Sequence, residues 1–353
     1  MALKKNADTL NIFIWIVFLI CLTAFAGHAL SSTINNYKIA QNANLYPNAV
    51  SVSRNDTPYR TDVLFGAFLS RISHLSMKDS TFDADFYIWF KWKGDNVTPG
   101  KNIQIINGQI NSKQEQADWH EGDDNYEQYQ ISASITKPFD VALFPFDNHD
   151  LIIELEDSLS TIYWLQYVPE DKLDFNDSSE ISVPGYKNKY LSPLIDIHRY
   201  ETDFGSPWRE EMPSTYSRIR FGIGLVRDGW GVYFRLFQGL FVAVGVAMLT
   251  FILKPDYAPR FVVGVGALFA AVANYYNLLS MQPVVNYMTL ADSINLIGIV
   301  VILLTMVESS ISFYMYDNLG KKRLSKQFDI FSAITMVSCY IFINLWIVWI
   351  ATH

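Results

Sequence analysis

The chain has 353 residues, half of them hydrophobic and 15% aromatic, with 18% charged and a formal net charge of −8. That is too apolar for an ordinary soluble protein and too charged for a chain lying wholly in lipid, so polar and apolar residues must be segregated along it. The two cysteines, Cys21 and Cys339, both sit in hydrophobic runs, which excludes a disulfide framework and a thiolate zinc site.

Lys4 and Lys5 precede an apolar stretch from Ile12 to Phe25, and Ala24-Phe25-Ala26 supplies small residues at an A-x-A spacing. A basic start, an apolar core and such a site predict a secretory signal peptide over residues 1–26. The competing reading, a membrane anchor, needs about 20 apolar residues, more than this run provides.

From residue 27 to 230 the chain turns polar, rich in Asp, Asn, Ser and Tyr. The clearest element runs from Phe82 to Lys93. There Phe82, Ala84, Phe86, Ile88, Phe90 and Trp92 alternate with polar or amphipathic residues, the period of a half-buried strand. Similar patches lie at Val63–Ile72, Ile103–Ile110, Tyr126–Ile135, Asp150–Glu156, Leu194–Tyr200 and Tyr216–Val226. Many short strands punctuated by Gly, Pro, Asn and Asp predict an all-β sandwich. Glu121, Asp123 and Asp124, beside His120, cluster carboxylates as calcium requires; their spacing fits no standard calcium loop, and a solvated turn is the other reading. His74, His120, His149 and His198 are scattered, none beside a nucleophile in a catalytic pattern, so no enzyme is expected.

Four long apolar segments follow within residues 231–353, at about 232–253, 259–280, 290–313 and 328–351. Each is long enough to cross a hydrocarbon core of about 30 Å as a helix. Lys254 and Arg260 flank the first link, Lys321, Lys322, Arg323 and Lys326 flank the third, and Met281–Thr289 has no Lys or Arg. The positive-inside rule then places the first and third links in the cytoplasm. The β domain, the second link and the carboxyl terminus fall outside, which predicts a multi-pass protein of the plasma (inner) membrane.

Phe144-Pro145-Phe146-Asp147, followed by His149 and Leu151–Leu155, resembles the signature loop of the Cys-loop receptor superfamily, the pentameric ligand-gated ion channels. Val63–Gly66 and the run to Trp92 and Asp95 resemble the family's first two strands. Arg227 with Tyr233-Phe234, the helix Arg260–Leu268, Pro283 in the second link and Thr289–Asp292 follow in the family's order. The half-cystines of animal members are replaced by Lys137 and Leu151, as in prokaryotic members that lack them. The family's proline in the first membrane helix is absent, with Gly239 near its place. The resemblance implies an immunoglobulin-like β-sandwich followed by an all-α four-helix bundle, assembled with four further copies as a homopentamer in membrane lipid. It implies a small-molecule or ion ligand; nucleic acid is not an expected partner.

On a 3.6-residue period Val262, Gly266, Phe269, Ala273, Tyr276 and Ser280 share one stripe of the second apolar segment. Five such helices around an axis would make a narrow apolar tube in which a Phe269 ring stops ions by dewetting. The alternative is a buried helix in a non-conducting bundle, its small residues serving close packing. Acidic side chains outnumber basic ones between Gly27 and Val232, which favours cations at the outer mouth. Asp256 is the candidate for an inner carboxylate ring, and Arg260 would oppose it if it faced the axis.

By position in the family, Met77, Lys78, Phe144, Pro145, Phe146, Asp147, Arg227 and Pro283 are the coupling residues. Phe146 is expected to wedge against the second link, and Asp147 and Arg227 to form an ion pair. The implied agonist site lies under a flap at about Glu201–Tyr216. Phe204, Trp208 and Tyr216 are candidates there, with Tyr87, Tyr163 and Trp164 as further walls that suit amines through cation–π attraction. The competing functional reading is a membrane-anchored sensor or binding protein of the same fold that does not conduct.

Overall fold

A computed structural model describes residues 59–170, 181–191, 193–202, 204–205, 214–227 and 229–352. The expected signal peptide over residues 1–26 and the flap residue Trp208 lie outside them. Two compact units emerge. A β unit is built from the described residues of Asn42–Phe139 and Asn148–Asp228; a helical unit is built from those of Gly229–His353 together with the short stretch Asp140–Asp147.

The β unit contains β1 (Thr61–Ser76), β2 (Thr81–Lys93), β3 (Ile103–Ile105), β4 (Gly108–Glu121), β5 (Asp124–Thr136), β6 (Asn148–Asp157), β7 (Leu165–Pro169), β8 (Tyr186–Tyr190), β9 (Leu194–Arg199) and β10 (Thr215–Arg227). One sheet has the order β4-β5-β2-β1-β7, antiparallel except for the parallel β1–β7 pair. The other has the order β3-β6-β10-β8, with β9 also paired to β10, and is antiparallel throughout.

Alternation explains which faces meet. In β2 the residues from Phe82 to Trp92 are buried at every second position, and β5 repeats the pattern with Tyr129, Ile131, Ala133 and Ile135. Phe221 of β10 reaches Phe65 at 6.0 Å and Phe86 at 5.3 Å between ring centroids, so aromatic rings knit the two sheets face to face. Gly66 stands opposite Trp89 in the β1–β2 ladder, and a Cβ there would run into the indole.

Where one strand was expected over Ile103–Ile110, the chain instead leaves one sheet and joins the other. Asn107 makes the switch. Its carbonyl accepts from Thr136 N on the β5 side, while its carboxamide bonds Ile152 O and Glu154 N of β6. Beyond it β4 runs on to Glu121, an edge strand polar on both faces and therefore without alternation to betray it.

The helical unit contains α1 (Gly229–Met248), prolonged by a 3₁₀ turn at Leu249–Phe251, then α2 (Pro259–Leu279), α3 (Leu290–Asp317) and α4 (Lys322–Thr352). All four are long and apolar enough to cross a membrane, and the chain is a multi-pass membrane protein. Pro259 opens α2 in the first turn, where its missing N–H costs nothing. Thr289 and Asp292 cap α3 reciprocally, the Thr289 hydroxyl accepting from Asp292 N and the Asp292 carboxylate from Thr289 N. Glycines bring helices close: Gly264 faces Met306, and Gly298 faces Leu240. Helix α4 begins at Lys322 rather than near residue 328, because its polar first turns have inward partners: the Ser325 and Ser312 hydroxyls lie 2.8 Å apart, and Asp329 turns towards α2.

That last contact belongs to a buried ionic cluster. Arg260, in the first turn of α2, is 0% exposed. Its guanidinium donates to Asp329 of α4 at 2.9 and 3.2 Å, to Glu308 of α3 at 3.1 Å and, through Nε, to Ser309 at 3.1 Å. A cation at a helix amino terminus opposes the helix dipole, and one at membrane depth is costly, so these partners are what permit it. Removing one member of such a set strands the others. Arg260→Met alone should cost roughly 3–5 kcal/mol, whereas Arg260→Met combined with Glu308→Leu and Asp329→Leu should recover most of it. Unfolding in detergent followed by near-UV circular dichroism measures both.

Candidate pore face, docking loop and aromatic flap

Burial divides α2 cleanly. Arg260, Gly264, Ala267, Ala271 and Leu278 face the other helices and are buried. Val262, Gly266, Phe269, Ala273, Tyr276 and Ser280 all lie on the exposed side; Val262 is 71% exposed, Phe269 72% and Tyr276 70%. The composition of this face differs from that of α4, whose exposed side beyond its polar first turns is mostly bulky and apolar, from Ile330, Phe331 and Ile334 to Phe342, Leu345 and Trp349, with Ser338 among them. On α2 the large residues alternate with Gly266, Ala270, Ala273, Asn277 and Ser280, all exposed. Asp256, in the link before α2, is exposed, while Arg260 is withdrawn into the bundle and does not share its surroundings.

The stretch Asp140–Asp147 docks on the helices. Leu290 N, at the start of α3, donates to Ala142 O at 2.8 Å. The Tyr287 hydroxyl, in the second link, donates to Asp140 Oδ1 at 3.2 Å and accepts from Val141 N at 3.3 Å. Burial, with the charge of Asp140 behind it, pushes the Tyr287 hydroxyl up to about 12. Phe144 and Pro145, joined by a cis peptide bond, are buried, as is Asp147. Phe146 packs among aromatic residues. Its ring meets Trp230 at 5.6 Å and Tyr233 at 5.7 Å, at the start of α1, and covers Gly229. The polar contacts to the link come from Asp140 and Val141, upstream in the loop. Pro283 is half-buried in that link.

Of the remaining coupling candidates, Met77, Lys78 and Arg227 belong to the β unit. Lys78 is exposed in the β1–β2 turn. Met77 and Arg227 are brought together by Tyr186: the guanidinium lies 4.6 Å over the Tyr186 ring, donates to its hydroxyl, and has the Met77 sulfur at 3.0 Å. Tyr186 escapes a reading by family position because β8 is short and polar.

Near the flap, Tyr200 is the hub that sequence reasoning missed. Its ring contacts His198 at 4.6 Å, Phe204 at 5.2 Å and Tyr216 at 5.8 Å. Its hydroxyl donates to Glu156 at 2.9 Å and accepts from Arg218 at 3.0 Å, while Arg218 Nε bonds Glu156 at 2.5 Å. Arg220 links Glu154 to Asp196 alongside. Burial and the Glu156 charge push the Tyr200 hydroxyl up to about 12, and burial near Arg218 lowers His198, which favours the neutral imidazole. Two of the predicted ligand residues, Phe204 and Tyr216, thus share one cluster. Tyr87 lies elsewhere, on the outer face of β2 with Phe68 at 6.4 Å. Trp164 stacks on Tyr59 at 6.2 Å, next to the half-buried Tyr163.

Glu121, Asp123 and Asp124 are exposed around the β4–β5 turn, where Gly122 takes a φ of 60°. Asp124 is drawn aside by Lys93 at 3.2 Å. Among the described residues no three His, Cys, Asp or Glu side chains come together as a metal-binding group. No protein-family model matches the chain, and no curated protein sequence matches it.

The loop contact carries a pH signature. The folded pKa of Tyr287, about 12, stands above the ordinary value of 10. The stabilisation from its protonated hydroxyl is therefore complete below pH 10 and is lost as the pH climbs towards 12. Tyr287→Phe should lower stability by about 1 kcal/mol at neutral pH, and its deficit should shrink above pH 10. Thermal unfolding of both proteins across that range checks it.

Proposed function

We propose that the chain is one subunit of a homopentameric ligand-gated ion channel in the plasma (inner) membrane. In this reading the β unit is an immunoglobulin-like ligand-binding sandwich outside the cytoplasm, as is the carboxyl terminus, and α2 lines the pore. The observation that carries the reading is the exposed face of α2. Lipid accepts the bulky side of α4, but an exposed Asn277 carboxamide on a face lightened by Gly, Ala and Ser suits water and neighbouring copies better than hydrocarbon. Around an axis, Phe269 forms the dewetting constriction and Tyr276 and Ser280 the mouth.

Selectivity for cations follows from charge. Asp256 supplies a carboxylate ring at one mouth, and the opposing cation that the sequence places nearby, Arg260, is neutralised inside the bundle. The ligand lies between subunits, where the Tyr200–Phe204–Tyr216 cluster of one copy would face Tyr87 of the next. Binding is relayed through Met77, Lys78 and Arg227 on the β unit and through the Asp140–Asp147 loop and Pro283 on the helical unit.

Cysteine accessibility tests the pore. In a Cys339→Ser background, Tyr276→Cys should react with a charged, water-soluble thiol reagent and block current in planar bilayers, whereas Phe342→Cys should not. Equal protection of both, with no current from the wild type under any ligand, would return the chain to a non-conducting sensor. Phe269→Ser should leave the pore conducting without ligand. Asp256→Lys should move the reversal potential in a salt gradient away from the cation value; an unmoved potential rules the Asp256 ring out.

A further inference from the structure

Arg235 is the one charged residue of α1. It stands six residues past Gly229, about 9 Å along an apolar span that runs from Gly229 to Phe251. Arg260, the buried guanidinium of the same unit, shows what such a cation requires, with two carboxylates and a hydroxyl closed around it. Arg235 has nothing comparable. Its side chain is exposed, and among the described residues none gives it a hydrogen bond or an ion pair. A cation on an apolar helix surface is costly unless it reaches an anion or the membrane interface, so its counter-ion comes from outside the chain.

The surroundings narrow the source. A long side chain on a helix leans back towards the helix start. One turn back, Gly231 is exposed, and nothing lies within 4 Å of where a Cβ would stand. That open notch leads the guanidinium towards the first turn of α1. Trp230 and Phe234 stack there at 6.2 Å between ring centroids, 49% and 58% exposed, as aromatic residues do at a membrane–water interface. The anions at that level are the phosphodiesters of lipid headgroups.

A second copy of the helical unit offers less. Gly239 of α1 packs on Asn274 and Leu240 on Gly298, which puts the amino end of α1 beside the carboxyl end of α2 and the amino end of α3. The carboxylates near that end are engaged: Asp140 accepts from Tyr287, Asp292 caps α3, and Asp147 is buried. The exposed carboxylates of the unit, Asp256 and Asp317, lie at its opposite end, past the carboxyl ends of α1 and α3.

We infer that Arg235 binds the phosphodiester of a membrane phospholipid in the leaflet at the amino end of α1. The planar fork of the guanidinium donates to two phosphate oxygens, and the notch at Gly231 gives the side chain passage. The acyl chains run along Val242, Val246 and Leu249, exposed on the same stripe of the helix. The inference is independent of any pore along α2.

Thermal unfolding of the full chain in detergent micelles, titrated with dioctanoyl phosphatidylglycerol or dioctanoyl phosphatidylcholine, tests this. Dioctanoylglycerol, which lacks the phosphate, and inorganic phosphate, which lacks the chains, are the comparisons. Both phospholipids should raise the midpoint saturably, and neither comparison should. Arg235→Gln should raise the lipid concentration needed roughly tenfold, the scale of a lost charge-assisted contact, and Arg235→Lys should recover part of it. Gly231→Leu, which fills the notch and keeps the cation, should weaken the response severalfold. Arg323→Gln, at the opposite end of the bundle, should leave it unchanged. An equal response to dioctanoylglycerol or to inorganic phosphate, or a wild-type response in a folded Arg235→Gln, overturns the assignment. A lipid response that survives in Arg235→Gln while its oligomeric state changes without lipid also overturns it, and gives the cation to a contact between copies. If Arg235→Gln does not fold, Gly231→Leu decides: an unchanged response overturns the assignment and a severalfold loss sustains it.

Discussion

The rotation of α2 about its own axis decides which of its residues can line anything, and Arg260 fixes that rotation. A fully buried guanidinium has to find its carboxylates, and they stand on α3 and α4 at Glu308 and Asp329. Once the first turn is held there, a 3.6-residue period leaves no freedom: Gly264, Ala267, Ala271 and Leu278 point inward, and Val262, Phe269 and Tyr276 point out. The small inward residues are a consequence of the same arrangement, since helices pinned by a short polar bridge must pack closely along their length.

A second constraint acts at the other end of the bundle. The stretch Asp140–Asp147 lies in sequence between two strands, yet it is held by the helices, through Ala142 and Leu290, Asp140 and Tyr287, and the Phe146 ring among Trp230 and Tyr233. The chain leaves the β unit after Phe139 and returns to it at Asn148. Backbone hydrogen bonding and aromatic contact together make this a defined seat, in which one side of the loop addresses the link and its tip addresses α1.

Much of this architecture is legible in the order of the residues. Alternation in Phe82–Trp92 and the four long apolar runs reflect solvent partition, a force that writes directly into residue order. Helical period alone groups the residues of the α2 stripe, while which side is exposed depends on the partners of Arg260. What residue order conceals is polar and non-local. Strand β4 is an edge that buries little on either face, so nothing in Gln109–Glu121 alternates. The sheet switch at Asn107 rests on one carboxamide bridging two strands. The partners of Arg260 lie 48 and 69 residues away, and no local pattern announces them. Tyr200 and Tyr186 matter for the company they keep in the fold, among many tyrosines of similar setting. The ring contacts of Phe146 with Trp230 and Tyr233 are likewise non-local, 84 and 87 residues along the chain.

The early position of Asp140–Asp147 in the chain has a consequence for biogenesis. Synthesis runs from the amino terminus, so this loop leaves the ribosome long before the Leu290 amide and the Tyr287 hydroxyl that will hold it exist. In the interval the Phe146 ring gains Trp230 and Tyr233 as soon as α1 emerges, whereas Asp140 and Ala142 still lack their partners. The polar capture of the loop therefore waits for the second link and the start of α3. The chain carries within itself a checkpoint for the completeness of its helical half.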